Sequence, residues 1–333
     1  MADLNTRWLG LSLRTPFVVG ASPLGDDIEK LAALVEAGAG AVVLHSLFEE
    51  QLVLEQMAAH RHFDAHIDTD AEARSFLPPS NVFSLGVDRY LGHMRRVRAR
   101  VDVPVIASLN GVSPGGWVEY ARLLADAGAD AIELNLYEVA TDPSLSGAEV
   151  EARQLAVVRT VVAAVQRPVS VKLSPFYASV PGFAQQLVAA GAAGVVVFNR
   201  FWQPDVNLES LDVDRTLVTS TSAELPLRLH ALALLHGRVD IGLSVTGGVH
   251  TGLDAAKAIL CGAQSVQMVS ALLEHGVPRL KGVVEELDWW LGEKGYQSVD
   301  EARGVLSLAG APNAHALERV NYMKVLQGWM PRR

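Results

Sequence analysis

The sequence predicts a single (β/α)8 barrel, the TIM-barrel architecture, with residues 1–333 forming one domain. Three observations carry that reading. A glycine that ends a helix and is followed by a β-branched strand recurs four times. Four other apolar strands, reached differently, alternate with those. Amphipathic segments separate all eight. Hydrophobic residues make up 50% of the chain, ample for a large core, and the 28 glycines suit tight corners.

The first strand is expected near 17–21, in Thr15-Pro-Phe-Val-Val-Gly-Ala-Ser22. The recurrent corner then gives strands near 41–46, 131–136, 194–199 and 265–269, each preceded by a glycine: Gly38, Gly128, Gly191 and Gly262. Glycine takes the left-handed conformation that stops a helix. The aliphatic runs that follow read as buried parallel strands. The interleaved strands fall near 104–109, 169–173 and 242–246, led in by Pro104, Pro168 and Asp240-Ile241. Helices are expected at 27–37, 87–100, 116–127, 148–166, 181–190, 224–236, 252–261 and 277–292. Eight alternations imply right-handed crossovers and closure into a barrel, rather than an open doubly wound sheet.

Three segments exceed the plain barrel. Residues 4–16 read as a hairpin closing its bottom, 47–85 as a long insertion over the active-site face, and 296–330 as extra C-terminal helices.

The net charge of −9 disfavours nucleic acid, whose binding needs cations to displace counterions. Arg95, Arg96, Arg98 and Arg100 lie at a helix C-terminus, where cations complement the dipole. The lone Cys261 can neither form an internal disulfide nor ligate an iron–sulfur cluster by itself. The N-terminal stretch lacks a basic start followed by an apolar run, and no apolar run approaches membrane length, so no signal peptide or membrane span is expected and the cytoplasm follows. His60, His62 and His66 could suit a metal by spacing, but no metal site is expected there.

Barrel chemistry sits at the C-terminal ends of strands. There the sequence places Ala21-Ser22, His45-Ser46, Asn110, Asn135, Lys172, Asn199-Arg200, Thr246-Gly247-Gly248 and Val269-Ser270. Lys172 interrupts an apolar strand, and an unpaired ammonium inside a barrel would cost several kcal/mol. It therefore needs an anionic or electron-rich partner. It could be a Schiff-base lysine or a cation that stabilises a reduced, anionic cofactor ring. The glycine pair opens a helix after strand seven, where backbone N–H groups and the helix N-terminus favour phosphate.

In this order, the motifs resemble those of the dihydroorotate dehydrogenases, especially the soluble FMN-binding members. Thr15–Pro23, Ala131–Leu136, Pro168–Pro175, Val245–Leu272 and Lys294–Val299 carry the likeness. The resemblance implies FMN as cofactor, with Ala21, Ser22, Ser46, Asn110, Asn135, Lys172, Asn199, Gly247, Gly248, Val269 and Ser270 holding it. Lys172 would stabilise the reduced ring at its N1/O2 edge. Asn135 and Asn199 would bind substrate; Arg200, from its own chemistry, either binds a substrate carboxylate or pairs with an acidic residue at the rim. The family's chemistry couples removal of a substrate proton to hydride transfer to flavin N5, in pyrimidine biosynthesis. A homodimer is expected, with an electron acceptor that is unknown.

The chain departs from the pattern at the substrate end. Where the family carries Asn-Leu-Ser-Cys-Pro-Asn, the row is Asn135-Leu-Tyr-Glu-Val-Ala140, so Glu138 takes the place of the base and Ala140 that of an asparagine. His45 replaces a lysine, and Arg200 replaces a small hydroxyl residue. The family's Asn-x-Met-Gly-Leu-Pro-Asn loop is not recognisable in Ser80–Ser84. Glu138 would act as base if its pocket excludes water, and otherwise caps the loop or forms a salt bridge. The expectation is a dehydrogenase acting on dihydroorotate or a related small cyclic substrate. The rivals are a non-redox phosphate-binding lyase or isomerase using Lys172, and a flavin-binding barrel with a partner role.

Overall fold

The structure is a computed structural model and describes residues 1–50, 87–111, 114–201, 203–214 and 218–328. The expected long insertion, with His60, His62, His66 and Ser80–Ser84, lies almost wholly outside the described residues.

Eight parallel strands close into a ring: β3 (Phe17–Val19), β4 (Ala41–Val43), β6 (Val105–Asn110), β7 (Ala131–Asn135), β8 (Val169–Lys172), β9 (Gly194–Val197), β12 (Gly242–Thr246) and β13 (Ser265–Met268). The pairing of β13 with β3 and of β4 with β6 completes the circle. A short β5 (Leu47–Phe48) extends the sheet beside the upper end of β6. All eight expected strands are present, and the barrel reading stands.

Helices α1 (Ile28–Glu36), α2 (Val87–Arg100), α3 (Pro114–Asp126), α4 (Gly147–Ala164), α5 (Val180–Ala189), α6 (Leu225–Leu235), α7 (Gly252–Leu260), α8 (Ser270–His275) and α9 (Val277–Glu293) surround the ring. The four recurrent corners work as the sequence implies. Gly38, Gly128, Gly191 and Gly262 have φ of 116°, 101°, 87° and 115°. In each corner the next residue's N–H reaches back to a carbonyl of the last helical turn, as from Ala39 to Leu34 and from Ala263 to Ala258. This is the Schellman arrangement, and it aims the chain into the following strand.

The bottom is plugged by the expected hairpin, β1 (Thr6–Trp8) against β2 (Leu11–Leu13). Its two turn residues, Leu9 and Gly10, have φ of 55° and 75°, which matches the twist of a two-residue hairpin. Leu9 adopts this conformation, uncommon for a branched residue, while 94% of its surface is buried, being 6% exposed. Trp8 and Leu9 pack against Val18, Ala41, Val43, Ile106, Ala131 and Val196 inside the barrel. Small residues at the lower rim make room: a Cβ on Gly194 would lie 2.5 Å from Leu9 Cδ2.

One feature goes beyond the sequence expectation. A second hairpin, β10 (Asp205–Asn207) with β11 (Asp212–Asp214), rises after β9 and exposes Val206, Leu208 and Leu211. The C-terminal region forms α10 (Val299–Ala302) and α11 (Ala314–Gln327), and no residue of α11 is buried. Among the described residues no helix is long and apolar enough to cross a membrane. Cys261 packs against the core, and burial pushes its thiol up to about 11, as befits an inert packing residue.

Candidate active site

Strand alternation sends every second residue inward. In the upper barrel those residues are polar: Ser108 and Asn110 on β6, Glu133 and Asn135 on β7, Ser170 and Lys172 on β8, Ser244 and Thr246 on β12, Ser265 and Gln267 on β13. The lower layer is fully enclosed, with Ser108, Glu133, Ser170, Ser244 and Ser265 at 0% exposure. Its hydroxyls satisfy one another, as Ser46 with Ser108 at 2.7 Å and Ser265 with Ser244 at 2.8 Å. A polar layer therefore replaces aliphatic packing directly beneath the strand tops.

Lys172 finds its anionic partner inside this layer. Its Nζ donates to Glu133 Oε1 at 2.7 Å, and Gln267 Nε2 donates to Glu133 Oε2 at 2.5 Å. Both carboxylate oxygens are thus engaged. Beside this cluster, Asn199 Nδ2 donates to Asn135 Oδ1 at 2.9 Å, so the two asparagines meet across the barrel mouth.

Above the cluster lies a cavity of about 200 Å3. It is bounded by Ala21, Lys172, Asn199, Arg200, Gly247, Gly248, Val269 and Ser270, which joins eight of the sequence-derived residues in one place. Among the described residues it falls below the roughly 300–1,000 Å3 of a complete small-molecule site. Ser22, Ser46, Asn110 and Asn135 are buried nearby without lining it; Ser22 Oγ donates to the Gly20 carbonyl.

One end of the cavity is built from backbone and hydroxyls. Gly247 and Gly248 are consecutive left-handed residues, φ 82° and 80°. Ser220 ties the two loops together: its N–H and hydroxyl donate to Ser270 Oγ, each at 3.0 Å, and its Oγ accepts from Gly248 N–H. Thr219 and Ser220 were not foreseen, because they come from the distant segment before α6. The guanidinium of Arg228 underlies the glycine loop, with Nε donating to the Thr246 carbonyl and NH1 to that of Glu224. Burial, opposed by Glu224 and reinforced by the Arg200 charge, pulls its pKa down. Arg200 and Arg228 share the one carboxylate of Glu224, at 3.5 and 3.8 Å.

The helix-dipole part of the expectation needs correction. The N-terminus of α7 is occupied by its own capping box: Asp254 Oδ2 accepts from the His250 and Thr251 N–H groups and from Ser222. The Gly252 N–H goes to Glu286. An anion at this end must be held by the glycine loop and hydroxyls rather than by that helix.

Glu138 is found elsewhere. Its side chain is 36% exposed and pairs with Arg153 NH2 at 2.8 Å, so it meets solvent rather than a water-poor pocket. His45 Nδ1 lies 2.6 Å from Asp26 Oδ1. Burial lowers its pKa below 6.5 despite the opposing Asp26 charge. The unfolded chain therefore binds more protons below about pH 6.5, and His45 contributes stability above that pH that is lost as pH falls through its folded value. Urea midpoints should drop between pH 7 and pH 5, and less so in His45→Gln; an equal drop in both would refute the assignment.

A family model described as Dihydroorotate dehydrogenase matches residues 81–291, which span α2 to most of α9 and every cavity residue except Ala21. The chain belongs to the dihydroorotate dehydrogenase family. It is a dehydrogenase of the flavin-dependent kind that acts on CH–CH bonds. It is 24% identical to the NAD-dependent dihydropyrimidine dehydrogenase subunit PreA of Escherichia coli, over 91% of this chain and 76% of that one. It is 28% identical to the dihydroorotate dehydrogenase B (NAD(+)) catalytic subunit of Methanosarcina mazei, over 89% of this chain and 93% of that one. The corresponding subunit of Methanothermobacter thermautotrophicus is 26% identical over 91% and 98%.

Proposed function

We propose that this protein is an FMN-dependent dehydrogenase that oxidises a small cyclic amide, dihydroorotate or a close relative. The donor set of the cavity supports the cofactor. The loop end offers backbone, Ser220 and Ser270, and two guanidiniums sharing one carboxylate leave one positive charge in surplus. That combination suits a phosphate. The opposite end offers Lys172 to an electron-rich ring edge. When bound, FMN would supply a two-electron acceptor for the bond being oxidised.

The residues would divide the remaining work. Gly247, Gly248, Ser220 and Ser270 anchor the phosphate, and Ala21 and Val269 line the wall beside it. Ser22, Ser46 and Asn110 support the ring from the strand tops. Asn135 and Asn199, already hydrogen-bonded to each other, would present amide donors and acceptors to substrate. Arg200 would bind a substrate carboxylate if it leaves Glu224. Glu138 would take the substrate proton if bound substrate shuts water away from it, a setting its exposed side chain does not have here. Its place in the loop after β7 supports that role, and the Arg153 pair must open for it to act.

The observation that carries the reading is the cavity joining Lys172 to the Gly247-Gly248 loop. The buried ion pair favours it over the Schiff-base alternative, because Lys172 is committed to Glu133 as an ammonium. The names of the relatives describe subunits, which supports a partner subunit; that the partner accepts the electrons, and that the chain itself forms a homodimer, belong to the proposal. Purified protein should carry a yellow flavin band that dihydroorotate bleaches without oxygen, and Glu138→Gln should slow bleaching at least tenfold while leaving FMN bound. A band that no dihydroorotate bleaches would point to a different cyclic substrate; a colourless protein that takes up no FMN would overturn the proposal.

A further inference from the structure

We infer that Glu133 sets the redox poise of the site by neutralising Lys172 from beneath. This rests on the proposed FMN site and adds a residue to it. Glu133 is fully buried at 0% exposure, two residues below the strand-top Asn135. A lone carboxylate there would be costly, and its partners explain its presence. One oxygen holds Lys172 and the other holds Gln267, and both partners line the cavity. Glu133 itself does not line it, so it acts through them.

Two consequences follow from elementary electrostatics. An ammonium has three hydrogens, and one is committed to Glu133, so the carboxylate fixes where the others point. The pair also sums to zero charge. A free lysine would present a full positive charge to the cofactor ring, favouring the reduced, negatively charged form. The pair presents a dipole with its positive end toward the cavity. In this enclosed setting charge is poorly screened, so the underlying carboxylate holds the cofactor's midpoint potential lower than Lys172 alone would set it. Glu133 is a positioning residue that makes the bound cofactor a better electron donor to the acceptor that follows.

The test is the midpoint potential of bound FMN in the whole protein, read by anaerobic equilibration with reference dyes. Glu133→Gln keeps the size and hydrogen-bonding capacity of the side chain and removes its charge. It should raise the potential by about 30 mV or more, a tenfold gain in preference for the reduced form for a two-electron couple. Glu133→Asp retracts the carboxylate by one methylene and should raise it by less, which keeps the test usable if the glutamine variant folds poorly. An unchanged or lowered potential in either variant with FMN bound would overturn the inference and leave the proposed function standing. Failure of the wild-type protein to bind FMN would overturn both.

Discussion

Lys172→Met is expected to lower the unfolding free energy by about 3–5 kcal/mol, the usual cost of stranding one partner of a buried ion pair. The structural reason is Glu133, which has no exposed surface and, among the described residues, keeps only Gln267 as a side-chain donor once the ammonium is gone. Equilibrium urea unfolding at neutral pH measures the loss. Adding Glu133→Gln to Lys172→Met removes the stranded charge and should restore most of the stability. If the double variant is as unstable as the single, Lys172 matters through packing rather than charge. The same single variant should also reduce bound FMN by substrate about 100- to 1,000-fold more slowly, the scale for removing one preorganised electrostatic group. Stability and reduction rate should separate in the double variant, which recovers the first but not the second.

Gly248→Ala is expected to weaken FMN binding by about 100-fold or more. A side chain at φ 80° is strained by roughly 1–2 kcal/mol. The added Cβ would also lie 2.7 Å from Leu225 N and 2.9 Å from its Cα, at the start of α6. Those are backbone atoms and have no rotamer to escape into. The loop must shift, taking with it the Gly248 N–H that binds Ser220. Gly247→Ala should be milder, since its Cβ meets the Arg228 guanidinium, the far end of a side chain. Fluorescence titration of the apoprotein with FMN ranks the two; equal losses would place the constraint in conformation alone.

The legible parts of the sequence were those where one residue type has one geometric use. Gly38, Gly128, Gly191 and Gly262 marked helix ends because their positive φ excludes other residues there. The glycine pair and Lys172 marked the cavity for similar reasons. The polar layer was present as a period-two signal, Glu133 before Asn135 and Ser170 before Lys172, but Glu133 reads as strand filling until its partners on β8 and β13 are placed. The capping box Thr251-Gly-Leu-Asp254 was also visible, and it competes with an anion for the same N–H groups. Ser220 could not be located, because its partners are 28 and 50 residues away. The setting of Glu138 depends on Arg153, 15 residues later on α4, and alignment with a family motif carries no such information.

On the proposed reading, the loops after β12 and β13 hold the cofactor by its phosphate. Titrating the apoprotein with FMN and with riboflavin, which lacks only that group, tests it most directly. FMN should bind at least 100-fold tighter, with the preference weakening in Gly248→Ala. Equal affinity for the two flavins would contradict it.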